Sequence, residues 1–347
     1  MTVVPAPVVV QYLYLHAPGD DFTYPSARAG SDAGRLAARY LECVAVQAAS
    51  LRFSGVDCEL MLVLNLEDPR AVLDEHGIAL LGVIEELGVR RVTAPYDHAP
   101  DPDVTMFYSS RYVFDAILAT APADEPDRQL WLVDVDCVWR DPGRAFATLG
   151  AEGDALACVT IGYPPDWDVS GSTRASIGTL PGSTEPVPPW IGGELLAGRA
   201  GALRGLVATC EDLDAELAAA GVRLPTEEQL LTAAGALDRA RFVDRSDLAG
   251  RIWTGPRHQA ANPEDPASLA LWHLPSEKGL SFRRAAAALV RRRAGALRRD
   301  LGETDRALKR FNITGATSTR LRNDAWLMTQ KLRTLLPTRH RGTTHGR

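Results

Sequence analysis

Leu130-Trp131-Leu132-Val133-Asp134-Val135-Asp136-Cys137-Val138-Trp139-Arg140-Asp141-Pro142 decides how the rest of the chain is read. The apolar run Leu130 to Val133 predicts the most buried strand, and Asp134-Val135-Asp136 ends it. Residues i and i+2 of a strand point to the same side, so Asp134 and Asp136 converge. Two carboxylates are too costly to bury unpaired in a core strand. At a strand mouth a shared hard divalent cation offsets their charge, and such a cation can bridge a diphosphate and stabilise it as a leaving group. The alternative is a pair of strand-end carboxylates that are solvated or matched by Arg140 or Arg144.

Upstream, Val8-Val9-Val10-Gln11-Tyr12-Leu13-Tyr14-Leu15 reads as a first buried strand closed by the turn cluster His16-Ala17-Pro18-Gly19-Asp20. Leu36, Tyr40, Cys43, Val44, Gln47 and Leu51 recur at helical spacing, with Ser31 and Asp32 as candidate caps and Gly55 as a stop. Leu60 to Leu64 predicts a second strand, Ile78 to Leu87 a helix, Arg91 to Thr93 a third strand and residues 107–120 another helix. This alternation predicts an α/β fold, a mainly parallel, Rossmann-related sheet flanked by helices, with ligands beyond the carboxyl ends of its strands. Downstream, Tyr163 to Pro189 is rich in Pro, Gly and Ser and reads as a long active-site loop. A helix over 198–208 follows, with Gly192-Gly193 as a turn before it in the plain reading.

The chain has 347 residues, 46% of them hydrophobic, enough for a sizeable core. Its longest apolar runs fall short of the roughly 20 residues of a membrane-spanning helix. The five cysteines, Cys43, Cys58, Cys137, Cys158 and Cys210, are scattered and read as buried thiols in a reducing compartment. No basic segment precedes Val8 to Leu15 and no small-residue cleavage pattern follows it, so the expected location is cytoplasmic.

Charge divides the chain. Residues 281–347 hold 17 Lys and Arg against 4 Asp and Glu, whereas residues 1–280 hold 21 against 40. An acidic body argues against nucleic acid as a partner, because phosphate neutralisation needs clustered cations. The expected division is a body over 1–280 and a basic helical C-terminal extension over 281–347. In the extension Phe282, Ala286, Leu289, Val290, Leu297 and Leu301 form an apolar stripe opposite Arg283, Arg284, Arg291, Arg292, Arg298 and Arg299. Leu321, Ala325, Met328, Leu332 and Leu335 form a second, heptad-like seam. The basic helix suits peripheral contact with an anionic membrane at the inner face. Equally, its arginines are a solvated face or pair with the acidic body.

The Leu130 to Pro142 segment resembles the D-x-D strand of GT-A-fold glycosyltransferases, nearest the glycogenin-like and bacterial sugar-transferase group. The resemblance covers roughly residues 8–280. It rests on the order of motifs: several βα units, the acidic pair, Trp190-Ile191-Gly192-Gly193-Glu194-Leu195-Leu196, Glu227-Glu228-Gln229-Leu230-Leu231, then His273 through Lys278. It implies a metal-dependent transferase that moves a sugar from a nucleoside-diphosphate sugar to an acceptor hydroxyl. In that group a later histidine completes the metal site, which makes His273 the third ligand, with His258 as the other candidate, and Mn2+ or Mg2+ the cofactor; imidazole favours manganese.

The resemblance also implies the remaining site residues. Lys278 offers a point charge to the diphosphate, although here the spacing from His273 is one residue shorter than in glycogenin-like chains and Gly279-Leu280 replaces Pro-Trp. Gly192 and Gly193 let backbone approach the sugar, beside Trp190 and Gln229. Glu194 or Glu228 acts as the base of an inverting reaction, or holds sugar hydroxyls in a retaining one. Arg111 sits near the diphosphate or the first Asp, or on a solvated helix face. Tyr14 and His16 lie where the nucleotide base binds, and Tyr12 is expected in the core.

Other enzymes with related motifs fit less well. A haloacid-dehalogenase phosphatase carries its Asp-x-Asp after the first strand, and a sugar nucleotidyltransferase resembles G-x-G-x-R there. Here the first strand leads into His16-Ala17-Pro18-Gly19-Asp20. The remaining alternatives are a catalytically inactive scaffold of the same fold and another phosphoryl-handling enzyme of this sheet type.

Overall fold

A computed structural model describes residues 6–16, 32–101, 104, 107–149, 154–254, 262–291 and 294–313. Ser31, Ala17 to Asp20, His258, Arg292 and the 321–335 seam lie outside the described residues.

The central sheet has seven strands: β1 (Val8–Leu13), β2 (Glu59–Leu64), β3 (Val89–Thr93), β4 (Gln129–Val133), β6 (Leu156–Ile161), β7 (Trp190–Arg199) and β8 (Phe242–Asp244), in the order β3-β2-β1-β4-β7-β6-β8. All run in one direction except β7, which is antiparallel to β4 and β6. The predicted mainly parallel α/β sheet is therefore present, with one reversed strand that the βα alternation does not announce. A smaller sheet joins β5 (Cys137–Trp139), β10 (Leu271–His273) and β9 (Ala249–Arg251), with β10 in the middle.

Helices cover both faces: α1 (Ala33–Ser54), α2 (Glu75–Glu86), α3 (Tyr112–Thr120), α4 (Pro142–Leu149), α5 (Arg174–Gly178), α6 (Ala200–Ala219), α7 (Glu227–Ala236), α8 (Arg283–Val290), α9 (Ala294–Gly302) and α10 (Thr304–Arg310). Helix α1 starts where the Asp32 side chain accepts a hydrogen bond from the Arg35 amide, and ends at Gly55 with φ +76, the left-handed conformation that a residue without Cβ adopts freely. Leu36 to Leu51 are buried almost without interruption, because α1 lies between the sheet and the C-terminal helices.

Three expectations change. Residues 107–120 begin as a 3-10 turn over Tyr108–Arg111 before α3. The segment 198–208 lies in the end of β7 and the start of α6, so Gly192 and Gly193 are strand residues and not a turn. The third concerns the basic extension. Its apolar stripe is not a lipid-facing surface: Phe282, Ala286, Leu289, Leu297 and Leu301 are buried in the same hydrophobic core as α1, as are Leu308 and Phe311. Arg283, Arg284, Arg291, Arg298 and Arg299 face outward. An amphipathic helix whose apolar side already packs on protein has nothing left to insert into a bilayer. Among the described residues no helix is long and apolar enough to cross a membrane. The five cysteines are buried and unbridged, as expected.

Candidate active site

The mouth of the sheet lies where β1 and β4, hydrogen-bonded neighbours, both end, facing the first half of the reversed β7. The chain turns sharply after Val133. The Asp134 amide bonds the Glu194 carbonyl at 3.1 Å, the Asp134 side chain accepts the Val135 amide at 2.7 Å, and the Cys137 amide returns to the Asp134 carbonyl at 3.3 Å. From the core side, Gln47 of α1 donates its side-chain amide to the Asp134 carbonyl at 2.7 Å. The acidic turn is thus held by backbone and by a buried amide.

Strand β10 supplies the partner. His273 pairs with Cys137 on one side and Arg251 on the other. Its Nε2 lies 3.1 Å from Asp136 and 3.4 Å from Asp134, and its Nδ1 3.8 Å from Glu194. Lys278 reaches Asp136 at 2.6 Å. Asp136 is fully buried, whereas Asp134 keeps 35% of its side chain exposed. Burial alone would raise the Asp136 carboxyl, but Lys278 and His273 outweigh it and hold it far below the ordinary range. Burial disfavours the His273 cation, yet Asp136, Asp134 and Glu194 more than offset that and raise its pKa well above normal.

One atom each of Asp134, Asp136 and His273 falls within a common 4.8 Å. Two carboxylate oxygens and an imidazole nitrogen form a donor set that suits a divalent ion such as manganese, so these residues fit the metal. Binding would require His273 to release its proton, because only neutral imidazole ligates.

Around this cluster lies a cleft of about 430 Å3, within the size range of small-molecule sites. Tyr12, Tyr14, Asp134, Gly193, Glu227, Glu228, Arg251, His273 and Lys278 all line it. Tyr12, expected in the core, packs against it partly buried and also reaches the cleft beside Tyr14, its hydroxyl 3.4 Å from the Gly193 carbonyl. His16 is buried at the edge of the Tyr14 ring, centroids 5.0 Å apart, and supports that ring from below.

The glycine pair owes its place to a bulge. Cys158 pairs with Leu196, but the next residue, Val159, pairs with Gly192, so Gly193 to Leu195 swell out of register against β6. A Cβ on Gly193 would fall on Glu227, and one on Gly192 would fall on Glu194 and Ile161. The space the glycines leave is taken by this chain's own carboxylates.

Three carboxylates meet here in different states. Glu194 is fully buried; Arg251 bonds it at 2.7 Å. Burial would raise its pKa, but Arg251 and His273 overcome this and hold it down at about 2. Its carboxylate is committed to Arg251. Glu228 accepts hydrogen bonds from Arg251 at 2.6 Å, the Trp190 indole at 2.8 Å and the Gly193 amide at 3.1 Å. Both its oxygens are engaged. Glu227 differs: no donor reaches its buried Oε2 with hydrogen-bonding geometry. Burial, followed by the charge of Glu228, pushes its pKa up to about 7.

Trp190 and Gln229 act behind the cleft wall. Trp190 is wholly buried and fixes Glu228. Gln229 donates to the carbonyls of Val169 at 2.8 Å and Ser170 at 3.2 Å, and so pins the long loop. Arg111 is not among the residues that line the cleft. Its guanidinium is taken up by Asp214 at 2.7 and 2.9 Å and by the carbonyls of Leu224 and Pro225, which ties α3 to α6 and to the chain entering α7. Glu227 and Arg251 were missed at the level of sequence. Arg251 sits in a three-residue strand without periodicity, and only the pairing of β9 with β10 brings it to the site.

No protein-family model matches the sequence, and a comparison with curated proteins finds no match. Among solved structures, the chain is similar to the galactosyltransferase LgtC in complex with donor and acceptor sugar analogues, with 11% sequence identity and a TM-score of 0.50, over 82% of this chain and 95% of that one. A structure of an active-site mutant of LgtC is similar over 77% of this chain and 86% of that one, with 11% identity and a TM-score of 0.47. At this identity the likeness is one of fold, and the fold is the GT-A fold expected from the acidic strand.

Proposed function

We propose that this protein is a metal-dependent glycosyltransferase that moves a sugar from a nucleoside-diphosphate sugar to an acceptor hydroxyl. The observation that carries the reading is the meeting of Asp134, Asp136 and His273 beside Lys278 in one cleft at the ends of β1 and β4. A galactosyltransferase of similar fold, solved with donor and acceptor sugar analogues, supports the reaction class. A divalent ion, Mn2+ or Mg2+, held by Asp134, Asp136 and His273 would neutralise the diphosphate leaving group.

The protein's own groups do the rest. Lys278, freed in part from Asp136 when negative charge arrives, adds a cationic contact to the departing phosphate. Tyr14, with its ring braced by His16 and by Tyr96 at 5.0 Å, offers a flat wall for the nucleotide base. Gly193, without a Cβ, leaves room for the Glu227 carboxylate at the cleft wall. Arg251 fixes Glu194 and Glu228 in place, so that Glu228 can hold sugar hydroxyls. Glu227, lining the cleft with one oxygen that has no hydrogen-bond donor and a pKa pushed up to about 7, is the carboxyl best suited to take the proton of the attacking hydroxyl.

The test is calorimetric titration of the nucleoside diphosphates with and without Mn2+, paired with assays of donor-sugar hydrolysis. Metal-dependent binding that Asp134→Asn abolishes, together with donor hydrolysis, supports the reading and removes the inactive-scaffold alternative. Binding that persists with excess EDTA, or absence of any binding, overturns it.

A further inference from the structure

Two glutamines stand in the apolar interface between β1 and α1. On β1, Val9, Gln11 and Leu13 share one face, and Val9 and Leu13 belong to the core that includes α1. Gln47 lies on α1 between Val46 and Ala48, both buried. The two glutamines are each 1% exposed. Burying an amide costs free energy unless its polar atoms are hydrogen-bonded, and here one is not: the Gln11 Oε1 has no partner. A leucine or methionine at either position would fit the surrounding apolar pattern better. The amides therefore do something other than hold the core together.

Their bonds lead to the acidic turn. Gln11 donates from Nε2 to the Val44 carbonyl at 3.2 Å and to the Gln47 Oε1. With its oxygen engaged there, Gln47 presents its NH2 group to the other side, where it donates to the Asp134 carbonyl at 2.7 Å. Without the donor from Gln11, nothing fixes which end of the Gln47 amide faces Asp134, and an oxygen turned toward a carbonyl repels it. Three residues along α1, Ser50 donates to the Gln47 carbonyl at 2.7 Å and accepts the Trp139 amide at 3.0 Å. Helix α1 thus grips the acidic segment where it begins, at Asp134, and where it ends, at Trp139. Asp136 lies between the two grips.

The Asp134 carbonyl also accepts the Cys137 amide at 3.3 Å, so the turn keeps a hydrogen bond without Gln47. What Gln47 adds is the orientation of the backbone that carries the Asp134 side chain, and a metal site needs its ligands held to within about 0.5 Å. We infer that Gln47 is a positioning residue of the cation site and that Gln11 acts through it by setting the direction of its amide. This inference rests on the metal-dependent reading and adds to it the residues that aim the carboxylates.

The experiment measures the Mn2+ affinity of the full chain from the electron paramagnetic resonance of free Mn2+, beside urea unfolding and hydrogen exchange over residues 134–139. The double variant Gln11→Leu/Gln47→Met removes both amides together, so it should match or exceed the wild type in urea midpoint while binding Mn2+ about 10-fold more weakly or worse. Gln11→Leu alone should also weaken Mn2+ binding, although its bonds end at Val44 and Gln47. Val46→Ala, which trims the buried neighbour of Gln47, should lower the midpoint and leave Mn2+ affinity unchanged. Wild-type affinity in the double variant, or an equal loss in Val46→Ala, overturns the inference. So does a double variant less stable than Val46→Ala, because the amides would then be structural. Should the double variant not fold, Gln11→Leu decides by its affinity against that of Val46→Ala. If the wild type binds no Mn2+, the metal reading falls and hydrogen exchange judges the positioning role. Exchange over 134–139 that is about 10-fold faster in the glutamine variants and not in Val46→Ala keeps it, and exchange unchanged in the glutamine variants overturns it.

Discussion

Lys278 and Asp136 form a buried contact, Nζ to Oδ2 2.6 Å, while His273 faces the other carboxylate oxygen, Oδ1, at 3.1 Å. The two cations neutralise a carboxylate that has no exposed surface. Asp134 stands two residues earlier with a third of its side chain open to the cleft. Asp136 therefore balances the buried cations, while Asp134 faces the cleft in which the proposed metal would sit.

Replacing the two should separate these roles. Asp134→Asn is expected to change stability by less than about 1 kcal/mol and to remove metal-dependent nucleotide binding. Asp136→Asn leaves Lys278 and His273 facing each other without a counter-charge, and breaking a buried pair in this way costs about 3–5 kcal/mol. Urea unfolding of both variants without metal checks it. Equal destabilisation would show that Asp136 is not the charge on which the cluster balances.

Much of this site was legible in the sequence. The acidic pair at the end of a hydrophobic strand marks the mouth of the sheet, and the order of the later motifs brings His273 and Lys278 to it. What was not legible depends on contacts between distant elements. Nothing near Arg251 hints at its role, since it reaches Glu194 and Glu228 only because β9 lies beside β10. Glu227 and Glu228 are neighbours at the start of one helix, and which one is engaged follows from the bulge that turns the Gly193 amide toward Glu228. The stripe from Phe282 to Leu301 announces that something covers it, but amphipathicity does not say whether that is lipid or α1.

Arg251 holds two carboxylates, one of them fully buried. Arg251→Met is expected to destabilise the protein by about 3–5 kcal/mol, because Glu194 is left charged and uncompensated. Adding Glu194→Gln should return more than half of that loss, as the pair shares one interaction. Thermal or urea unfolding of the two single variants and the double completes the cycle. Additive losses would show that Arg251 stabilises through packing alone.

Glu227 sets a pH dependence of known sign. Its folded pKa, near 7 against an ordinary 4.5, means that the native state keeps a proton that the unfolded chain has lost between these values. Stability contributed at this position therefore falls as pH rises from about 4.5 to 7 and stays low above that. Glu227→Gln should be the more stable protein at pH 8, by a few kcal/mol at most, and should lose this advantage at pH 4. Transfer to an acceptor should rise with pH through about 7 in the wild type and drop sharply in the variant. Urea midpoints at the two pH values, with a pH–rate profile, decide it, and a variant whose stability relative to wild type is independent of pH would remove Glu227 as the proton-handling carboxyl.

The C-terminal helices provide the remaining prediction. Phe282 is fully buried against Phe311, ring centroids 5.5 Å apart, within the core that includes α1. A large-to-small change there removes apolar burial and leaves a cavity, at a cost of about 3–5 kcal/mol. Phe282→Ala should therefore lower the unfolding midpoint strongly, whereas Arg284→Ala, on the outward face of the same turn, should leave it within about 0.5 kcal/mol. Were the helix instead a lipid-seeking element, Phe282→Ala would leave stability in solution nearly unchanged and weaken sedimentation with anionic vesicles. Packing predicts the reverse: a large stability loss and vesicle sedimentation that does not depend on Phe282. The consequence reaches the candidate site, because Asn312 and Ser281 both bond Glu277, the residue before Lys278. Loosening this core should therefore also weaken nucleotide binding under conditions where the protein remains folded, which calorimetry at low temperature can measure.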